Sequence, residues 1–174
     1  MNSLTITAVT SLLLLKAAEV LVESKRYQSV KNNSHSLAEY VLTVGSDMDG
    51  GIFNEGGPTG VIDENKDWWP QAEALIGFIN AYQISGSALY LEAAGQVWEF
   101  TKKQVIDKKH GEWHKEVHRN GLPFELDKVR SLKCSYQHGG AALEVDNRVN
   151  LLVVAQTEHL AETVSVEQES KIKN

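Results

Sequence analysis

Trp68-Trp69-Pro70-Gln71-Ala72-Glu73-Ala74, running on into Leu75-Ile76-Gly77-Phe78-Ile79-Asn80-Ala81-Tyr82, is the stretch that decides the fold. Pro70 suits the first turn of a helix, where its missing N–H costs nothing. Asp67 or Asn65 is placed to accept a hydrogen bond from the free donors of that turn. Four residues along a helix make nearly one turn, so Trp69 and Glu73 share a face. An indole beside a carboxylate at a helix mouth suits a sugar, whose C–H groups stack on the ring while its hydroxyls donate to the acid. The two tryptophans read equally well as core, since large aromatics are mostly buried. Adjacent helical residues point about 100° apart, so the two indoles need not do the same thing.

Working outward, 174 residues allow one domain with a substantial core. A net charge of −6 argues against nucleic acid as a partner, because phosphates call for basic patches. The single cysteine, Cys134, excludes an internal disulfide and points to the reducing cytoplasm. Pro58, Pro70 and Pro123 all fall outside the helical runs, as a mostly helical chain requires. Leu4–Leu15 is apolar enough to imitate a signal-peptide core. However, no Lys or Arg precedes it, and the run continues through Lys16, Glu19 and Glu23 without a small-residue cleavage site. It is also too short to span a membrane, so a buried helix over Leu12–Val22 is expected.

Apolar residues at Tyr27, Val30, Leu37, Val41 and Val44 predict a helix with one buried stripe, closed by Gly45. Asp47 to Gly51 reads as a turn, Ile52-Phe53 as a short extended piece, and Gly56-Gly57-Pro58 with Gly60 as a loop. Gly86 closes the next helix. A further helix carries Ala88, Leu91, Ala94, Trp98, Thr101 and Val105 on its expected buried stripe. After a turn over Asp107 to Gly111, Glu112 to Val117 reads as one arm of a hairpin with Arg119-Asn120-Gly121 at its tip. A last apolar helix is predicted over Ala141–Val154, and a polar, frayed tail after Glu162. The pattern repeats: Asp47-x-x-x-Gly51-x-Phe53 and Asp107-x-x-x-Gly111-x-Trp113 each follow a helix, and Ala74-Leu75 and Ala142-Leu143 each open one. Helix, turn, short hairpin, helix is the mark of stacked helical hairpins.

Gly60-Val-Ile-Asp-x-x-Lys-x-Trp-Trp-Pro-Gln-Ala-Glu-Ala74 and Gly77-Phe78-x-Asn80-Ala81-Tyr82 resemble the N-acylglucosamine 2-epimerase family, and within it the cellobiose 2-epimerases. Leu13–Leu21, Tyr90–Ala94, Trp98-Glu-Phe100, Ile106-Asp107 to Trp113, Lys133-Cys134-x-Tyr136 and Leu143-Glu144 fit the same pattern. The resemblance implies an all-α fold, a partial (α/α)6 barrel (an α/α toroid) of helical hairpins with short β-hairpins in its connections. Residues 1–162 would form the C-terminal portion of such a barrel, with 163–174 as a polar tail. It implies proton abstraction at the carbon next to a sugar carbonyl, through an enediolate, on a mono- or disaccharide such as cellobiose, mannose or an N-acylglucosamine. No metal or cofactor is implied. Trp68, Trp69 and Glu73 become the substrate-binding residues.

Such chemistry needs two groups that titrate near neutrality, and histidine fits, with an ordinary pKa of about 6.5. The resemblance places the family's histidines and an accompanying glutamate at Ile6, Gln137 and Val9, and its tryptophan before the lysine at Leu132. Ile6 cannot carry a proton, and Gln137 hydrogen-bonds without titrating. His138, one residue on, is the only substitute in reach. The departures imply an incomplete or impaired member, completed by a missing N-terminal half or a second chain. The alternative is a non-catalytic helical-repeat module that binds carbohydrate or protein. His110, His114 and His118 stand four apart, but Gly111 and the hairpin signals break any helix there, so a solvated hairpin is expected and not a metal site. Cys134 is expected to be a small buried residue, Asp63 and Asp67 to cap turns, and Glu144 to be either structural or close to the sugar.

Overall fold

The computed structural model describes residues 24–57, 59–129, 133 and 136–172, and these are mostly helical. The readings placed on Leu4–Leu15, Leu12–Val22, Ile6, Val9, Pro58, Leu132 and Cys134 lie outside those residues.

Four helices form the body. Helix α1 (Ser24–Tyr40) runs into a widened turn at Val41–Gly45, and α3 (Ala88–Phe100) into another at Thr101–Val105. Helix α2 spans Trp68–Ser85 and α4 spans Tyr136–Ile172. Helices α1, α3 and α4 all pack on α2. That centrality explains its composition: Ala72, Ala74, Leu75, Ile76, Phe78, Ile79 and Ala81 are all buried. Gly86 ends α2 in the left-handed region, at φ 72°, and its N–H returns to the Tyr82 carbonyl at 2.7 Å. A β-carbon would be strained there.

Two short antiparallel pairs bridge the helices. Strand β1 (Glu55–Gly57) pairs with β2 (Gly60–Asp63), so the glycine-rich segment expected to be loop is itself paired. Strand β3 (Lys66–Asp67) pairs with β4 (Glu116–Val117), joining the two interhelical connections at the mouth of α2. The Trp68 N–H extends that junction to the Lys115 carbonyl, at 3.0 Å.

Several expectations are corrected. The buried face of α3 is Tyr90, Ala93, Ala94, Val97 and Phe100, while Leu91 and Trp98 are 40% and 42% exposed. Apolar residues occupy two adjoining stripes of α3, and only the seat on α2 selects between them. Asp67 stands at the cap position of α2, but its side chain makes no capping hydrogen bond. The backbone of α4 stays helical to Ile172, past both the predicted end at Val154 and the start of the polar tail.

The repeat is real but carries a one-residue slip. Ser46 bridges to Ile52 in the first unit, and Ile106 bridges to Trp113 in the second. The Asp47 N–H reaches the carbonyl of Gly51, whereas the Asp107 N–H reaches that of Glu112. Trp113 is thus the counterpart of Ile52, not of Phe53. Glu112 is the extra residue, at φ 63°.

Candidate functional site

The connections that carry the α2 mouth are fastened from inside. Gln71, fully buried, accepts from the Ile52 N–H and donates to the Ile52 carbonyl, both at 2.8 Å. Its amide locks the first turn of α2 to the connection after α1. Lys66 is 0% exposed, and its ammonium lies 2.9 Å from Asp47, 2.7 Å from Asp49 and 4.7 Å from the Phe100 ring centre. Burial works against the Asp47 charge, but Lys66 and the Met48 N–H outweigh it and hold that carboxyl below its usual range. Lys133, also buried, donates to the Trp113 carbonyl at 2.9 Å and lies 3.3 Å from Glu112.

On this scaffold the paired indoles separate. Trp68 is 5% exposed and packs with Phe100, Val105 and Val117. Trp69 is only partly buried and lies against the same cluster. Glu73 is one turn further along the uninterrupted helix, on the face of Trp69, and half-buried. Burial raises the pKa of Glu73 above the ordinary carboxylate range. Burial also raises that of Asp67, to about 6, with Glu116 adding to the effect.

Helix α4 presents two stripes to its surroundings. Positions 137, 141, 144 and 148 fall in line, within about 60° of one another. On that stripe Ala141 packs with Ala72 and Ile76, and Arg148 pairs with Glu144 at 2.9 Å and reaches Asn80 of α2 at 3.4 Å. His138 is turned about 100° away, in line with Ala142, Val145 and Val149. These residues line a half-open, mainly apolar pocket of 510 Å³ together with Leu75, Leu91 and Trp98. The His138 ring stacks on Trp113, with centres 5.1 Å apart, and its Nε2 lies 3.1 Å from Glu112. Burial lowers its pKa, Glu112 opposes that, and Lys133 adds to it, for a net decrease. Neither Trp69 nor Glu73 is among the residues lining that pocket. Among the described residues no group of three His, Cys, Asp or Glu is placed to hold a metal, and no helix is long and apolar enough to cross a membrane.

The profile of the family described as N-acylglucosamine 2-epimerase (GlcNAc 2-epimerase) matches residues 9–138. The chain belongs to that family. The cellobiose 2-epimerase of Dictyoglomus turgidum is 36% identical over 135 residues, covering 77% of this chain and 34% of that protein. The enzyme of the same name from Ruminococcus albus is 41% identical over 117 residues, covering 66% of this chain and 28% of that one. A crystal structure of a sugar epimerase from a ruminal bacterium superposes with a TM-score of 0.78 at 32% identity, over 84% of this chain and 38% of that one. This epimerase-family chain therefore spans about a third of the length of the curated relatives it matches.

Sequence reasoning missed four members of the site's framework: Lys66, Lys133, Gln71 and Glu112. The two lysines each stand a few residues before a helix, α2 and α4, and that repetition was a usable signal. Glu112 had none, because the one-residue slip is invisible when only the aspartates and glycines are aligned.

Proposed function

We propose that this chain supplies a sugar-binding wall of an epimerase or isomerase of the N-acylglucosamine 2-epimerase family, as part of an (α/α)6 barrel, and that it is catalytically impaired by itself. The substrate is a mono- or disaccharide of the cellobiose, mannose or N-acylglucosamine kind, and the chemistry needs neither metal nor cofactor. Trp69 forms the stacking surface, Trp68 supports it from behind, and Glu73 accepts from sugar hydroxyls.

One observation carries the reading: the helical register of α4. Along that helix position 137, a glutamine, falls in line with Glu144 and Arg148, about 100° around from His138. His138, the substitute, is turned to Glu112 and the apolar pocket. A group that transfers a proton must reach the reacting carbon directly or through one water, and a rotation of about 100° about the helix removes it from that reach. A missing acid/base group costs about 10²–10⁴-fold. The complementary histidine and the opposite wall would come from a second chain or a missing N-terminal half. The single cysteine favours the cytoplasm for this activity.

A non-catalytic module is the second reading, favoured by the outward-facing Leu91, Trp98 and Val149 on the edge formed by α3 and α4. Titrating the chain with cellobiose and with mannose under saturation-transfer NMR separates the two. The sugar reading expects contact signals that fall at least about tenfold in Trp69→Ala and in Glu73→Gln. Signals unchanged in both variants, or absent from the parent chain, contradict it.

A further inference from the structure

Helix α3 shows the solvent a row that does not suit a free surface. Leu91, Gly95 and Trp98 are all exposed and fall within about 60° of one another around the helix. They line the half-open pocket of 510 Å³ together with Val149 of α4. Val153, one turn beyond Val149, is also exposed and carries the apolar row onward. Gly95 leaves a gap in it, because a β-carbon there would meet nothing within 4 Å. The face thus carries a knob, the Trp98 indole, beside a hole of a size that takes in a ligand larger than an indole.

Charge on this face is arranged by ends. Glu92, near the start of α3, is exposed and has no ion-pair partner among the described residues. Lys102 and Lys103 stand just past the other end. Lys102 pairs with Glu99 at 2.5 Å and lies 5.7 Å from the centre of the Trp98 ring. Lys103 is exposed and, among the described residues, unpaired. Of these groups the far end keeps one positive charge in excess, and the near end one negative.

We infer that this face pairs two copies of the chain about a two-fold axis, α3 against α3 and antiparallel, with Trp98 of each copy seated over Gly95 of the other. An axis passing between residues 96 and 97 sets those two positions opposite each other. The same register lays the methylene stem of Lys102 on Leu91 of the other copy and its ammonium within one residue of Glu92. A two-fold pair needs one surface to supply both halves of every contact, and here knob and hole, cation and anion, lie on one helix. The face is about 20 Å long, the length of α3, and about 20 Å wide across two packed helices. That falls short of the roughly 800 Å² each partner gives to a tight pair, so the dimer is a concentration-dependent one in the micromolar range. Trp69 and Glu73 do not line this pocket, and the inference does not rest on the sugar-wall reading.

Sedimentation velocity of the full chain from about 1 to 200 μM tests the pairing, with circular dichroism to confirm that each variant folds. The parent is expected to pass from monomer to dimer across that range. Gly95→Leu adds a side chain that meets open space within one copy but takes the seat of the other copy's indole. It and Trp98→Ala should each raise the dissociation constant at least about tenfold. Leucine is the better helix former, so a dimer lost in Gly95→Leu is not a fold lost. Should Trp98→Ala fail to fold, Gly95→Leu decides. Glu92→Lys and Lys102→Glu should each weaken self-association, and an equimolar mixture of the two should recover the parent's dimer, because both cross-contacts of the mixed pair are again lysine to glutamate. A parent that stays monomeric throughout overturns the inference. So does Gly95→Leu dimerising as the parent does, or a mixture that associates no better than its two components.

Discussion

The turn after α1 and the turn after α3 share their aspartate and glycine letters but not their mechanics. In the first, Lys66 is sealed between two carboxylates, Asp47 and Asp49, with an aromatic face beneath it. In the second, Asp107 is claimed by the half-buried Lys128. That ion pair, with the His110 N–H, holds the Asp107 carboxyl well below its usual range. The buried Lys133 is left mainly to backbone carbonyls, those of Trp113 and Lys128. The difference follows from the extra residue, Glu112, which lengthens the second turn and reaches both Lys133 and His138. A family motif can thus be copied within one chain while the load it carries is redistributed.

The lysines offer the largest contrast. Lys66→Met strands the Asp47 charge and should cost about 3–5 kcal/mol, whereas Lys133→Met, which leaves carbonyls and a partly exposed glutamate, should cost about 1–3 kcal/mol. Urea unfolding of both variants measures the gap; equal losses would show the two turns to be mechanically equivalent. Asp47 adds a pH signature to the first. Its folded pKa is depressed, so its contribution is complete above its unfolded pKa of about 4 and fades as pH falls through the folded value. Lys66→Met should lack that acid-side loss.

The matched glycines give the next contrast. A β-carbon on Gly51 would lie 2.7 Å from the Lys66 side chain and 2.9 Å from the Phe100 ring. One on Gly111 meets open space but forces φ 74° on a substituted residue. Gly51→Ala should therefore cost about 2–3 kcal/mol through overpacking, and Gly111→Ala about 1 kcal/mol through backbone strain. Thermal denaturation showing Gly111→Ala the more damaging would reverse the assignment of space to one glycine and conformation to the other.

The helix mouths differ least in energy. Asp67 at the first has a raised folded pKa, so its contribution is present below the unfolded value of about 4 and is lost as pH rises through about 6. Going from about pH 5 to pH 7.5 should remove up to about 2 kcal/mol that Asp67→Asn retains. A parallel pH dependence in both proteins would place the titration elsewhere.

Much of the fold was legible. Helix periodicity, the terminal Gly86 and the double-tryptophan motif marked α2, and the repeated Asp–Gly spacing marked the turns. The stripe on α3 was not, because Leu91 and Trp98 are as apolar as the residues that pack, and only the neighbour determines which side is covered. Trp68 and Trp69 were ambiguous for the same reason until α2 fixed their separate directions. The β3–β4 pair joins residues about fifty positions apart, Lys66 with Val117 and Asp67 with Glu116, and no local pattern announces it. At the site, the substitution at Gln137 was readable as a letter, but the direction of His138 depended on where α4 begins.

The most direct measurement is exchange at the sugar C2 carbon. Purified chain is incubated with cellobiose and with mannose in deuterated water, and C2–H is followed by NMR, with His138→Ala alongside. No deuterium is expected at C2 above the enzyme-free blank in either protein. Label entering at C2 in the parent and lost in His138→Ala would contradict it, by showing that a histidine turned toward Glu112 still reaches the reacting carbon.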